Sequence, residues 1–253
     1  MPFENVGFGE DYIETPETTK RGLIVPITRE AVFFDRTGLI LTRAAEVGEA
    51  LGLNREKRIA DVVIGSVNNY KRNGTALNTY LASGSWINVR ASNELLDWTD
   101  IDHAEQLWAD MTDPNTGDPI LVGGKSLVVM PAKRHSAFRI LNATEVSETT
   151  GTATTTAAAN PVGGAQYRAF ASVIAYKRIQ SELGETADDA KKWWFLGDFQ
   201  KAFAYMENWP ITVTQAPPNS EAEFAQDIVF RFKASERGAA AVLDPRHVIK
   251  STG

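Results

Sequence analysis

One stretch limits the fold more than any other. From residue 191 to 250 the chain reads KKWWFLGDFQKAFAYMENWPITVTQAPPNSEAEFAQDIVFRFKASERGAAAVLDPRHVIK. Two long strand candidates, 209–215 and 223–233, are joined by a polar turn at 216–220. Shorter candidates precede them at 195–197 and 201–206. In the second long strand Ile228, Phe230 and Phe232 alternate with other residues, the period of a strand with one face on a core. Trp193, Trp194 and Trp209 lie in the same stretch, and KKWWFLGDF is read as core and subunit contact, where aromatics concentrate. No nucleophile with a base and an orienting group occurs here. The segment is rich in structure and poor in chemistry.

The 253 residues suffice for one large or two smaller domains with real cores. The net charge of −6 argues against a surface that grips nucleic acid all over, but not against a local basic face. There are no cysteines, which removes disulfides, thiolate metal sites and cysteine nucleophiles together. No run of 18 apolar residues suggests a membrane span, and the acidic N-terminus is not a secretory signal.

In chain order, 1–19 is an acidic, exposed arm. KRGLIVPI (20–27) is a strand at a sheet edge or strand end, because Pro26 lacks an amide donor. Nothing before it offers a partner, so its partner is expected from another subunit or from a preceding segment. Thr28 caps a short helix over 28–34. Thr37 caps the longest helical pattern, 37–66, with Ile40, Ala44, Val47 and Leu51 on one stripe. Gly48 and Gly52 weaken it, so a kink near Gly52 and a new cap at Asn54 are expected; Gly65 stops it. Short strands are expected near 76–81 and 86–89. Thr99 is expected to cap a helix bearing Ile101, Ala104, Trp108 and Met111. Two short strands flank Gly123 and Gly124, and a helix over 132–143 turns Phe138 and Leu141 inward. The small-residue run 147–164 is expected to be a mobile loop tip, and a helix covers 174–183.

Motifs for chemistry are weak. PILVGGKS (119–126) has Pro119 where a phosphate loop needs Gly, and a strand follows it. DPNTGD (113–118) lacks the Gly and Glu of a calcium loop and is turn chemistry. His103, His135 and His247 have no metal-ligand spacing. No catalytic, cofactor or metal residue is assigned. Arg55, Lys57 and Arg58 form a candidate phosphate-facing cluster. Glu10, Asp11, Lys20, Arg21 and Trp209 are the candidate subunit contacts.

WFLGDFQKAFAYMENWPITVTQ (194–215), DIVFRFKASERGAAAVLDPRHVIK (227–250) and PITREAVFFDRTGLILTRAAEVGEALG (26–52), in their order along the chain, resemble the major capsid protein of tailed bacteriophages, the Hong Kong 97-like fold shared with encapsulin shells. The resemblance covers most of 20–250. It implies an α+β fold with a long spine helix at 37–66, a peripheral-domain β-hairpin and an axial α/β domain. It places 1–36 in the second half of an extended loop, 37–121 and 204–235 in the peripheral domain, and 122–203 and 236–253 in the axial domain. The family's N-terminal arm and first extended-loop strand are not found ahead of Lys20. Asp227 stands near the family's crosslinking Asn, so no isopeptide crosslink is expected.

The resemblance implies a non-enzymatic, cofactor-free subunit that assembles in the bacterial host cytoplasm into hexamers and pentamers of a phage or prophage virion capsid. Implied partners are further copies, packaged double-stranded DNA through non-specific contacts, and portal, scaffold or decoration proteins, with no membrane. The alternatives are an encapsulin-like compartment and, from another class, a hydrolase or nucleotide-binding enzyme.

Overall fold

The computed structural model describes residues 12–35, 38–84, 86–113, 117–150, 154–163, 167–217 and 227–253. In chain order the strands are β1 (Ile13–Glu14), β2 (Thr19–Thr28), β3 (Tyr70–Arg72), β4 (Thr75–Leu77), β5 (Val89–Arg90), β6 (Ser126–Val129), β7 (Glu145–Thr150), β8 (Thr154–Ala159), β9 (Arg168–Ala171), β10 (Trp194–Gly197), β11 (Phe203–Gln215), β12 (Ile228–Val242) and β13 (Val248–Ser251). The helices are α1 (Arg29–Phe34), α2 (Leu39–Ile64), α3 (Trp98–Ala109), α4 (Arg134–Asn142), α5 (Val173–Leu183), α6 (Ala187–Ala190) and α7 (Phe199–Ala202). The chain forms two compact units, one of 1–15, 60–204 and 242–253, the other of 16–59 and 205–241. These breaks differ from the domain limits implied by the resemblance.

The unit of 16–59 and 205–241 is a helix on a sheet. Its strands run in the order β11–β12–β2, with β2 antiparallel to β12 from Thr28 opposite Ile228 to Thr19 opposite Gly238. The expected absence of a partner for 20–27 is thus corrected. The partner is β12 of the same chain, some two hundred residues away, where local pattern has no reach. Val47 and Leu51 of α2 bury against Ala234, with Val25 and Ile211 beside them.

The expected kink is not a break. α2 is one continuous helix of 26 residues, and Asn54 lies inside it. Gly48 serves packing instead. A Cβ there would sit 3.3 Å from Val213, closer than ordinary contact, so its absence lets β11 come close, whereas a Cβ on Gly52 would meet Ile211 at an ordinary 3.9 Å. The helix ends as expected at Gly65, whose φ of 78° is left-handed. Thr28 caps α1 as expected, accepting from the Ala31 amide. Thr37 lies outside the described residues.

The larger unit is built on a five-stranded sheet, β5–β13–β10–β6–β9. β10 lies at its centre with Trp194, Phe195 and Leu196 fully buried. Ile64, Met130, Ile179, Trp193, Phe195 and Val248 share one core, which bears out the core reading of KKWWFLGDF. Two buried indole N–H groups of this unit have partners: Trp194 donates to the Asn93 carbonyl at 2.7 Å, and Trp108 to that of Arg246 at 3.1 Å.

Several local expectations change. Asp97, not Thr99, caps α3, in a capping box with Asp100. Of the strands expected around Gly123 and Gly124 only β6 forms among the described residues, and Leu121 of PILV is almost fully exposed. Phe138 points outward, 66% exposed, while Leu141 is buried as expected. The expected loop at 147–164 is largely a hairpin, β7 paired antiparallel to β8. β11 is one strand from Phe203 to Gln215, with Trp209 and Pro210 inside it.

Candidate functional site

In the unit of 16–59 and 205–241, edges are the conspicuous feature. β12 is central, so β2 and β11 each have one side unpaired among the described residues. An open edge is a row of backbone donors and acceptors ready for another strand. Leu23 and Ile24 on β2 are exposed, as are Lys20 and Arg21. The short helix α1 buries none of its residues. Phe33 and Phe34 are 81% and 74% exposed and meet edge to face at 5.3 Å between centroids. Apolar surface left this bare on a folded unit marks a contact surface. Local pattern missed it, because TREAVFF looks like any short amphipathic turn; the signal was a Phe pair on a helix too short to bury both faces.

The expected contact residues fall as follows. Glu10 and Asp11 lie outside the described residues. Lys20 and Arg21 are exposed on β2, opposite Arg237 and Glu236 of β12. Trp209 is 37% exposed on β11, with the Arg237 guanidinium 5.9 Å from its ring. That distance suits a cation–π contact. The Arg237 Nε also donates to the Thr18 hydroxyl at 3.1 Å. The exposed arm expected over 1–19 is therefore tied down near its end. Farther back, Ile13 and Glu14 pair with Arg72 and Lys71 in the other unit's small sheet.

The basic cluster does not stay together on an open face. Arg58 donates to Glu236, a carboxylate only 1% exposed, which also accepts from the Tyr205 hydroxyl at 3.4 Å. Arg55 pairs with Glu207 at 3.2 Å and lies 5.5 Å from the Tyr205 ring. Burial raises the Tyr205 phenol above its ordinary value. Lys57 is exposed. Two of the three cations thus join α2 to the carboxylates of β11 and β12.

The weak chemical motifs of the larger unit are likewise absorbed by the fold. Lys125, from GGKS, pairs with buried Asp198 at 2.7 Å and holds that carboxyl below its usual range. His103 is half-buried on α3, and His135 is exposed on α4. His247 is partly buried, and that burial lowers its pKa. Among the described residues no group of three or more His, Asp or Glu is placed to hold a metal ion. No helix among them is long and apolar enough to cross a membrane. Asp227 sits at φ 53° and pairs with Arg29 at 3.1 Å.

The same unit has an open cleft of about 720 Å³ between α4 and β9. Phe138 and Phe170 line it with Arg134 and His135. Among the described residues β9 is the edge of its sheet, bonded to β6 on one side, and all four of its residues are exposed.

The sequence matches the phage capsid protein family over residues 12–251. No curated protein matches it significantly. The fold resembles the capsid of Cyanophage P-SCSP1u, at 10% identity and a TM-score of 0.54, over 95% of this chain and 73% of that one. It also resembles the capsid of an empty GTA particle, at 12% identity and a TM-score of 0.52, over 94% and 74%. The holo-SrpI encapsulin complex from Synechococcus elongatus PCC 7942 is similar at 8% identity and a TM-score of 0.50, over 96% and 81%. At such identities the structural likeness is one of fold, the Hong Kong 97-like α+β fold expected from the sequence. The family match spans nearly the whole chain and makes the role structural rather than enzymatic. The chain belongs to the phage capsid protein family and is a major capsid protein whose copies form a shell.

Proposed function

We propose that this subunit forms the hexamers and pentamers of an icosahedral phage or prophage shell around double-stranded DNA, and that it assembles in the host cytoplasm. The observation that carries this reading is the pair of unfinished surfaces beside α2. The β2 edge is open among the described residues, and α1 exposes both of its phenylalanines. A monomer gains nothing from either, whereas a closed ring buries both on each copy. Lys20, Arg21 and Trp209 belong to that contact, and Glu10 and Asp11 belong to a separate subunit contact made by the arm ahead of it. DNA contact falls to Lys57, because Arg55 and Arg58 are engaged with Glu207 and Glu236. Portal, scaffold and decoration proteins complete the partners we assign.

The peripheral and axial roles, 37–121 with 204–235 and 122–203 with 236–253, are part of the same proposal. Internal contacts group 60–121 with 122–203, which favours counting that segment with the axial part.

Electron microscopy of the purified protein tests the reading. Hollow shells, rings or tubes are expected. A strictly monomeric protein at high concentration would sink it. The encapsulin-like fold match supports a second reading, a compartment for a protein cargo. Particles isolated from the native host separate the two: nuclease-protected DNA supports the phage shell, and a co-purifying enzyme without DNA supports the compartment.

A further inference from the structure

The cleft beside β9 belongs to neither of the unfinished surfaces described above, and its chemistry is distinctive. Phe138 of α4 and Phe170 of β9 are 66% and 53% exposed. Arg134 and His135 line the cleft, and Arg168 opens β9. Neither Arg134 nor Arg168 has a carboxylate partner among the described residues. The site therefore offers an open strand edge, bare aromatic surface and positive charge together. On a strand, side chains two apart share a face, so Arg168 and Phe170 present a cation beside an aromatic ring.

One segment of the same sequence has the complementary pattern. Residues 1–11 read MPFENVGFGED, with three carboxylates and no Lys or Arg. In an extended conformation Glu4, Val6, Phe8 and Glu10 share one face. That face is acid, apolar, apolar, acid, and it meets Arg168 and Phe170 with matched chemistry in either strand direction. An extended segment adding to a sheet edge gains backbone hydrogen bonds along the edge and specificity from alternate side chains.

We propose that residues 4–10 of a second copy add to β9 as a further strand, with Val6 and Phe8 packing against Phe138 and Phe170 and a terminal carboxylate facing Arg168. This inference rests on the assembly reading above, since a shell supplies the second copy. It gives the acidic arm a specific acceptor, distinct from the β2 edge and from α1. Rim charge sets register and encounter, while the buried aromatics hold the strand in place.

The absence of cysteine makes disulfide trapping a clean test. A full-length Gly7→Cys chain is mixed with a full-length Ala169→Cys chain, oxidised, and run on a non-reducing denaturing gel; both positions lie on the face opposite Val6, Phe8 and Phe170, so the trap spares the proposed contacts. Asn5→Cys and Gly9→Cys, on the same face, are tried in parallel to cover the register. A heterodimer band is expected from at least one pairing. A Gln106→Cys partner, exposed on α3, should trap about tenfold less, the margin that separates a specific contact from random collision. Arg168→Glu in the Ala169→Cys chain should slow trapping about fivefold, as expected for a rim charge, and Glu4→Lys with Glu10→Lys in the arm should restore it. Equal trapping by the control, or no trapping at any position, overturns the proposal. So does closure of the doubly substituted Gly7→Cys/Ala169→Cys chain onto itself at high dilution. Microscopy of the unsubstituted protein runs alongside. Shells without trapping refute the arm site alone, and a protein that never leaves the monomer refutes the assembly reading beneath it.

Discussion

The contact between Arg58 and Glu236 is the sharpest place to test how α2 is held to its sheet. Glu236 is 1% exposed, and the Arg58 side chain is 17% exposed. The Arg58 Nε has no partner among the described residues, so the guanidinium depends on this one carboxylate and its neighbour Tyr205. Glu236→Ala leaves a largely buried cation unpaired, which costs about 3–5 kcal/mol. The lower end applies, because the guanidinium keeps some access to water. In urea, with a slope of about 1–3 kcal/mol/M, that lowers the midpoint by roughly 1–3 M. Replacing both residues by Met removes the desolvated charges together and should cost no more than about 1 kcal/mol, since apolar side chains can fill similar volume. With Glu236→Met and Arg58→Met as the single changes, the double-mutant cycle should then show a coupling of at least about 2 kcal/mol. The assay is urea unfolding of unassembled protein followed by far-UV circular dichroism. Glu236→Ala within about 1 kcal/mol of the parent, or strictly additive single changes, would refute the claim that this pair holds the helix to the sheet.

Gly65→Ala should lower the melting temperature, because αL geometry costs about 1–2 kcal/mol for a residue with a Cβ and the new carbon would lie 2.7 Å from the Tyr80 ring. Phe33→Ser with Phe34→Ser should leave the monomer's melt within ~0.5 kcal/mol of the parent. The same change should abolish assembly seen by light scattering, because both rings are exposed in the subunit. Lys250 lies 4.1 Å from the Trp193 ring and 5.3 Å from the Tyr80 ring, and burial pushes its amine down to about 8. Its unfolded value is about 10.4, so between about 8 and 10.4 the unfolded chain holds more protons and stability should rise with pH. Urea midpoints across that range should climb for the parent and stay flatter for Lys250→Met.

What the sequence disclosed was local. The Thr28 cap, the Gly65 stop and the stripe through Val47 and Leu51 are short-range physics, and they form as read. The misreadings also have causes. Thr99 competed with Asp97 for one cap, and the acid won because Asp100 reciprocates through the capping box. The run of Thr and Ala at 147–159 has too little apolar contrast to show a period, yet backbone pairing makes β7 and β8 from it. The segment 67–97 hid its order in buried amides. Asn88 donates to the carbonyls of Thr79 and Pro245 and accepts from the Leu81 amide, replacing a strand ladder with one side chain. The pairing of β2 with β12 rests on residues far apart in the chain, where periodicity carries no information about partners. At the candidate site, charge misled most. Arg55 and Arg58 looked like a phosphate-facing patch because their carboxylate partners are also distant in sequence.

That last point bears on what drives assembly. A subunit with a net charge of −6 that commits Arg55 and Arg58 to its own carboxylates has little cationic surface on α2 for DNA. Counterion release, the usual source of affinity for nucleic acid, then contributes little through this helix. The favourable terms must come instead from surfaces the subunit leaves unfinished: apolar area at Phe33 and Phe34, and backbone groups along β2 and β9. These differ from one another, as head-to-tail contacts around a ring require, since each copy must show its neighbour a surface unlike the one it receives. On the proposed reading, the shell is therefore held by protein–protein contact, and the DNA we propose as its content is not a template on which the subunits condense.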